Sequence, residues 1–435
     1  MSSKIDARLA HPFYTDHVFY HAHGKGLTIP TVRAWAFNGW RQEGLSWHEG
    51  CYIHAGLSGS GPLRIKGPQA KEYLQSIVVN SLEKFPVGSM KHAVQCNADG
   101  LITAHGILSR LGEDEFESWA GGPPGPVVPK SVDYDVEITD TDKYLFQVAG
   151  PKSLEVLEKV TGEDLRDLKF LRFRNTAVAG HTTEVARLGM VGSLAFELRG
   201  PMADAADVYD AVYEVGKAFG MERLGWGTYL VNHIEGGFPQ HTWTFISAMP
   251  EEIWPRARRR WEVSGSVDPA ELRPRLRTPV EVRWDNMVKF DHDFTGRDAV
   301  AAEIENPRRR TVTLRWNHDD VLDLYASLVR EPEPYKTIDF PYAPQRWPMA
   351  HADHVTKGGR QIGWSSGTVY SPFYREYLSH GCLDISETEI GETVSVHWGD
   401  HGGPIKEIRA TVERFPYYDG VRNSEVDLQT GAPKG

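Results

Sequence analysis

Two stretches of this chain are versions of one another, and that repetition limits the fold more than any other feature. Leu63-Arg64-Ile65-Lys66-Gly67-Pro68-Gln69-Ala70 runs into KEYLQSI, and Leu145-Phe146-Gln147-Val148-Ala149-Gly150-Pro151-Lys152 runs into SLEVLEKV. The two glycines lie 83 residues apart, from 67 to 150. Each copy reads as a strand, a glycine turn, a proline at the first helical position and an amphipathic helix. Proline suits that position because its φ is already helical and its missing N–H would have no partner there. A strand with one helix buries only one face, so two copies point to two related α+β lobes. Gly-Pro pairs precede many helices, so the match alone leaves coincidence open.

A chain of 435 residues has room for two to four domains at roughly 100–200 residues each. Hydrophobic residues make up 40% and charged residues 25%, which excludes a disordered or collagen-like polymer. Forty-eight basic residues stand against 59 acidic ones, a net charge of −11. Such a chain repels nucleic acid and anionic membrane surfaces unless a local patch intervenes. The short runs Arg256, Arg258, Arg259, Arg260 and Arg308, Arg309, Arg310 read as solvated faces. Cys51, Cys96 and Cys382 are odd in number and far apart, so neither a disulfide framework nor a cysteine-rich zinc site is expected. MSSKIDARLAHPFY lacks the apolar core of a signal peptide, and no run reaches about 18 apolar residues. The expected setting is the cytoplasm.

Ala120–Lys130, AGGPPGPVVPK, reads as a loop or boundary. Pro201–Gly220 has helical apolar spacing and stops at glycine. Pro250–Asn306 is mixed and reads as a helical connector. From Arg308 onward, strand-like runs alternate with Gly, Pro and Asp turns, starting with a strand through Thr311, Thr313 and Leu314. That pattern predicts an all-β C-terminal domain, a small barrel or a jelly roll.

Within RLGMVGSLAFELRGP, Glu197 lies between Phe196 and Leu198. Strand alternation sends it to the face opposite its apolar neighbours. It is either a solvated strand residue or a carboxylate that accepts paired hydrogen bonds from an amide-like ligand edge. Downstream, Tyr229, Asn232 and Glu235 recur at every third position before Gly236-Gly237. That stripe either lines a pocket or forms helix surface. His11, His17, His21 and His23, and separately His351, Asp353 and His354, lack a diagnostic metal spacing, so no metal is expected. There is no P-loop, no dinucleotide fingerprint and no nucleophile elbow.

The ordered series LRIKGPQAKEYLQSI, PVGSMKHAVQCNADGLITAHGILSRL, FQVAGPKSLEVLEK, RLGMVGSLAFEL, TYLVNHIEGG and VKFDHDFTGRDAV resembles the glycine-cleavage T-protein superfamily across roughly residues 45–425. VKFDHDFTGRDAV, VTLRWNHDDVLDLYASL and IRATVERFPYY resemble its tetrahydrofolate-dependent aromatic O-demethylases, which act on vanillate, 3-O-methylgallate and syringate, more than its amine-cleaving members. The resemblance implies a three-domain cloverleaf of two ferredoxin-like α+β lobes and a C-terminal β-barrel or jelly-roll domain. On that template 1–50 opens the first folate-binding lobe, 51–137 forms the second, 138–305 completes the first with a connector, and 306–435 is the β domain.

The resemblance also implies roles. Glu197 would grip the pterin of tetrahydrofolate, with Met190 and Phe196 packed beside it and Asn232 at a shared position. Tyr229 would lie near the methyl-transfer centre. Departures from the pattern matter as well. Ala104-His105 replaces the Asp-Asp of amine-cleaving members, which argues against aminomethyl transfer and leaves His105 as a candidate catalytic group. Ser58-Gly59 replaces Ser-His, Trp119-Ala120-Gly121-Gly122 lacks the arginine that holds a substrate carboxylate, and His233 stands where the family helix carries arginine. A buried carboxylate without a cation is costly, so a different methoxy-aromatic is implied, one lacking that group or held by another residue.

His54, Ser58 and Trp226 are the candidate substrate-pocket residues. The implied reaction moves a methyl group from a methoxy-aromatic compound to N5 of tetrahydrofolate, leaving a phenol. Alternatives are methylene transfer from a methylenedioxy ring, aminomethyl transfer, and a non-catalytic folate-binding protein. Relatives of the last kind carry a Lys-Gly-Cys motif that this sequence lacks.

Overall fold

A computed structural model describes residues 19–23, 31–58, 62–119, 133–241, 243–249, 262–330, 332–339, 349–431 and 433. His11, His17, Gly59, residues 120–132 and Arg256–Arg260 lie outside the described residues, as do the side chains of His21 and His23.

The chain enters through β1 (Phe19–His23) and β2 (Thr31–Ala36), then α1 (Trp40–Glu49) and β3 (Cys51–His54). It next builds one whole lobe: β4 (Leu63–Lys66), α2 (Ala70–Gln75), β5 (Ser89–Cys96), β6 (Ile102–Gly112), β7 (Glu115–Trp119) and β8 (Glu137–Asp140). It then returns to complete the sheet that β3 began, through β9 (Lys143–Ala149), α3 (Ser153–Thr161), β10 (Phe173–Val178), β11 (His181–Ala186), β12 (Ala195–Pro201), α4 (Ala205–Gly216) and β13 (Met221–Arg223). Helix α5 (Trp226–Glu235) follows, then a connector holding β14 (Glu262–Ser264) and α6 (Arg297–Glu305). The last part is β15 (Arg309–Trp316), α7 (His318–Ala326), β16 (Met349–His351), β17 (Asp353–Lys357), β18 (Arg360–Ser371), β19 (Glu376–Asp384), β20 (Thr393–Trp398) and β21 (Lys406–Glu413).

The two repeats sit at the same place in sister sheets. The second lobe runs β5-β6-β7-β4-β8, and the first runs β10-β11-β12-β9-β3, with β13 added parallel beside β3. The correspondence is strand by strand, but permuted, because β3 comes before the second lobe whereas its counterpart β8 comes at that lobe's end. Cys51–His54 therefore belongs to the first lobe's sheet and not to the second lobe that begins at residue 51 on the sequence reading. The reason is pairing: β9 needs a neighbour on its second edge, and β3 fills it while burying Cys51 and Ile53 in the first core.

Both repeats make the same turn. The Ala70 N–H donates to Gly67 O at 3.0 Å, and the Ser153 N–H donates to Gly150 O at 3.0 Å. Gly67 has φ 145° and Gly150 has φ 120°. A Cβ on Gly67 would lie 2.4 Å from Asp135 O, and one on Gly150 would lie 2.5 Å from Gly50 O. Pro68 and Pro151 occupy the second position of these turns, two residues ahead of each helix and not at its first position. A fixed φ suits that turn position equally well.

The C-terminal domain is a closed barrel, β15-β19-β18-β17-β20-β21. Its core includes Val312, Leu314, Trp316, Val355, Leu383, Val396 and Ile408, residues contributed by five of its strands. Beyond β21 the chain leaves the barrel and straps the first lobe. Arg187 donates to the carbonyls of Leu168, Asn423 and Val426, and Asn423 Nδ2 donates to Ala195 O. Apolar clusters join the lobes at their centre. One unites Met90 of β5 with Ala186 and Leu188, and another unites α5 with Val369 and Leu378 of the barrel. No helix among the described residues is long and apolar enough to cross a membrane.

Candidate functional site at the junction of the lobes

The first lobe's sheet has two different faces. One carries Ile53, Phe146, Val148, Phe196 and Leu198 and packs under α3 and α4. The other carries the residues in between. Across β12, β9 and β3, Glu197 pairs with Gln147 and Gln147 with His54, so three polar side chains stand abreast. The next row is Ala195, Ala149 and Tyr52. The polar row is buried, with Glu197 and Gln147 each 4% exposed.

Glu197 is fixed by Arg199, two residues along on the same face. Arg199 Nε and Nη2 donate to Glu197 Oε2 at 3.1 and 2.6 Å. Its Nη1 donates to Glu184 Oε1 at 3.1 Å and to Ser109 Oγ of the second lobe at 3.0 Å. The Trp119 ring covers the guanidinium at 4.6 Å. Burial works against this charge, but Glu197 and Glu184 outweigh it and hold the arginine above its ordinary pKa. Both donors meet one oxygen of Glu197, so Oε1 keeps its acceptor capacity.

Helix α5 runs through the junction with every residue buried, so its polar stripe is not a solvated surface. Tyr229 stacks on His54 at 4.2 Å between centroids and 6° between planes, and on Trp226 at 5.0 Å and 20°. His233 meets Tyr229 edge-on at 4.8 Å. The Tyr229 hydroxyl points to the Met190 sulfur at 3.9 Å. His54 Nδ1 lies 2.8 Å from Leu224 O, and a carbonyl only accepts, so Nδ1 carries the proton. Asn232 Nδ2 donates to the Tyr52 hydroxyl at 3.3 Å. Burial, reinforced by the charge of Glu197, pushes the Tyr52 phenol far up, so it stays neutral. Glu235 is an anchor for α1, accepting from Trp47 Nε1 at 2.7 Å and meeting His48 Nε2 at 2.8 Å.

A second ring group faces this one from the other lobe. His105 Nδ1 lies 3.1 Å from His92 Nε2 on the neighbouring strand. Trp284 stands against both rings, at 4.6 Å from His92 and 4.9 Å from His105. Phe238 lies 6.0 Å from His105 and 5.8 Å from His233, bridging the two groups. Burial depresses His92 and His241 to about 4 and His233 to about 3, and it takes His105 well below its usual range. These imidazoles are neutral at physiological pH.

The structure thus gathers His54, Trp226, Tyr229 and Met190 into one stack, with Glu197 and Asn232 nearby on the same sheet face and its covering helix. His105 belongs to the facing group. Two sequence expectations are corrected. Phe196 points into the α3–α4 core, because it alternates with Glu197 along β12, and cannot flank a ligand on the Glu197 face. The Ser58 hydroxyl donates to Leu145 O at 2.9 Å and accepts from Leu145 N at 3.0 Å, so it latches a loop to β9.

Gln147, Tyr52, Arg199 and His92 escaped sequence reasoning. Gln147 and Arg199 were readable in principle, as polar residues alternating with apolar ones in the strands that carry the repeat and Glu197. Among the described residues no group of three or more His, Cys, Asp or Glu is placed to hold a metal ion.

Tetrahydrofolate, the coenzyme implied by the resemblance, offers a pteridine edge of paired N–H donors beside a carbonyl. The residues fit that edge. Gln147 Nε2, Asn232 Oδ1 and His233 Nε2 are buried without a hydrogen-bond partner among the described residues. Unpaired buried polar atoms are costly, so three around one junction mark a place where a polar ligand completes the bonding.

Comparison with known proteins agrees. Residues 14–243 match the family model described as the GCVT N-terminal domain. A sesamin methylene transferase of Sinomonas sp. (strain No.22) is 36% identical over 417 residues, 90% of this chain and 92% of that protein. A syringate O-demethylase of Sphingobium sp. (strain NBRC 103272 / SYK-6) is 27% identical over 428 residues, 90% and 91% of the two chains. Among solved structures, the glycine cleavage system aminomethyltransferase T from Bartonella henselae superposes with a TM-score of 0.68, covering 93% of this chain and 95% of that one. At 16% identity that likeness is one of fold.

Proposed function

The chain belongs to the glycine-cleavage T-protein family, and from that premise we propose that it moves a one-carbon unit from the oxygen of an aryl ether to tetrahydrofolate. The observation that carries this reading is the buried polar row Glu197-Gln147-His54 facing the Tyr229 stack. Glu197 Oε1 accepts from the pterin's amidine edge, while Gln147 and Asn232 meet its remaining polar atoms. When bound, the coenzyme supplies a nucleophilic secondary amine. Arg199 holds Glu197 in place through two hydrogen bonds, so little reorganisation accompanies binding.

An aryl oxide leaves poorly, and a proton shared with the departing oxygen improves it. Tyr229 is the group for this role. Its hydroxyl rests on a thioether, a weak acceptor that an incoming oxygen displaces. The flat stack on His54 fixes the phenol's direction, and Trp226, stacked against both rings, helps to exclude water.

Two forms of the reaction share these parts. In one, a methoxy-aromatic yields a phenol and 5-methyltetrahydrofolate. In the other, a methylenedioxy ring yields a catechol and 5,10-methylenetetrahydrofolate, both coenzyme N–H protons passing to the catechol oxygens. The higher identity to the methylene transferase favours the second. A neutral imidazole at His105, where amine-cleaving relatives carry a carboxylate, speaks against aminomethyl transfer. The test is to incubate the protein with tetrahydrofolate and either 1,2-dimethoxybenzene or 1,3-benzodioxole, and to weigh the folate product. The methylene adduct from the dioxole is the expected result. The methyl adduct alone would select the first form, and unchanged tetrahydrofolate with a broad panel of aryl ethers would refute the proposal.

A further inference from the structure

We infer that Glu43 of α1 is a positioning residue for the reaction, holding the Leu224-Gly225 step on which both rings of the Tyr229–His54 stack depend. The inference rests on the transfer reading above and adds to it a side chain that lies outside the ring stack.

Two adjacent carbonyls support the stack. Gly225 O accepts the Tyr229 N–H at 3.0 Å, the first hydrogen bond of α5 on that side. Leu224 O lies 2.8 Å from His54 Nδ1, the protonated nitrogen of that ring. The main chain of one ring and the side chain of the other are thus hung from neighbouring residues. The rings themselves lie 4.2 Å apart and 6° from parallel. Moving the step slides one ring against the other, and a misplacement of about 1 Å at reacting groups can cost on the order of 100-fold in rate. The Leu224 half of the step is tied to β3, through its N–H to Ile53 O at 2.9 Å.

Glu43 ties the Gly225 half. Its side chain is buried, and Oε2 accepts the Gly225 N–H at 2.8 Å across 182 residues of sequence. Oε1 accepts from the N–H groups of Phe37, Asn38 and Gly39 at 2.6, 3.0 and 3.1 Å. Gly39 and Gly225 are the N-cap positions of α1 and α5, and neither offers a side chain to cap its helix. One carboxylate therefore serves two helix starts, where N–H groups are left over and the helix dipole favours negative charge. A capping side chain cannot be supplied at position 225 itself, because a Cβ there would lie 2.2 Å from Trp35 O.

The far end of α5 is held by other elements. His380 Nε2 of the barrel donates to Ile234 O at 3.2 Å, and the Tyr418 N–H donates to Glu235 O at 2.7 Å. Cutting the Glu43 link consequently frees the first turn, which carries Trp226 and Tyr229, while the helix stays seated.

Glu43→Gln makes that cut. The amide keeps its oxygen for the three N–H groups at the start of α1 and turns a donor toward the Gly225 N–H. Turnover of 1,3-benzodioxole and 1,2-dimethoxybenzene with tetrahydrofolate should fall about tenfold in kcat, with both KM values little changed. In a Tyr229→Phe background the same substitution should alter kcat by less than about twofold, because its effect passes through the phenol. An equal loss in both backgrounds marks a general structural role and overturns the inference, as does an undiminished kcat in Glu43→Gln alone. A second measurement needs no turnover. In protein carrying ring-13C tyrosine, the Tyr229 resonance, assigned by its loss in Tyr229→Phe, should move in Glu43→Gln, while that of Tyr73 in the second lobe's core stays in place. An unmoved Tyr229 resonance also overturns the inference. If the glutamine variant fails to fold, Glu43→Asp, one methylene too short to reach both helix starts, is read in the same way. A moved resonance in a protein whose parent transfers nothing from any aryl ether would remove the transfer reading and leave Glu43 as the anchor of the stack.

Discussion

Replacing Arg199 by methionine removes one cation that two buried carboxylates share. The Arg199 side chain is fully buried, and those of Glu197 and Glu184 are 6% and 11% exposed, so water cannot take its place. Removing one partner of a buried ion pair costs about 3–5 kcal/mol, and two stranded carboxylates put Arg199→Met toward the upper end. For a lobe of about 150–250 residues each kcal/mol lowers the melting temperature by about 2–4 °C, so the expected fall is about 6–20 °C. The loss has a pH signature. Burial already raises the Glu184 carboxyl, and without the guanidinium that opposes it the shift grows. The folded state then binds more protons, and the variant recovers stability relative to the parent as pH falls from neutral. Scanning calorimetry from neutral pH downward measures both effects. Glu184→Gln and Glu197→Gln introduced into Arg199→Met should recover much of the loss, because no charge is then left unpaired. An Arg199→Met protein melting within about 2 °C of the parent, with no dependence on the two glutamates, would refute the shared-cation account.

Three further outcomes follow from the geometry. Six histidines, His92, His105, His233, His241, His351 and His380, titrate below their ordinary value when folded because the desolvation of their rings disfavours the charge. Their contribution is full above about pH 6.5 and is lost as pH falls toward 4, with a slope approaching about 8 kcal/mol per pH unit if all six respond. Buried Asp353, raised to about 7, opposes part of it. Circular dichroism should therefore show cooperative unfolding near pH 5, and native signal at pH 4 would contradict this. Tyr229→Phe should lower turnover by about 100-fold or more with donor KM little changed, read by steady-state kinetics; undiminished turnover removes the phenol from the mechanism. Phe196→Ala should cost about 3–5 kcal/mol by denaturant titration yet leave tetrahydrofolate affinity intact, because the ring fills the helical core; weakened affinity in the folded variant would restore it to the ligand side.

What could be read in advance was local. The Gly67 and Gly150 turns announce themselves because only glycine tolerates their φ and the carbonyl beside them. Alternation around Glu197 gave its face, and turn spacing after Arg308 gave the β domain. What could not be read was pairing at a distance. Nothing near residue 51 says that β3 waits for β9. Nothing in the strand of Arg199 names Ser109 as its partner across the lobes. His92, His105, His233 and His241 sit on two strands, a helix and a loop with no common spacing, and only the tertiary fold makes them a group. Ser58 misled because its family position suggested a ligand, whereas a hydroxyl beside an open strand edge readily bonds to backbone.

The permuted strand order sets a timetable for a chain emerging from the ribosome. β3 ends at residue 54 and its partner β9 begins at 143, so the whole sheet from β4 to β8 is synthesised in between. At about 5–20 residues per second that is a delay of about 4–18 s. The younger lobe can close on itself while the older one is still a helix and a bare strand. Catalytic competence is deferred further, because Glu197, α5 and finally the C-terminal strap around Arg187 are added in that sequence, each onto a surface already laid down.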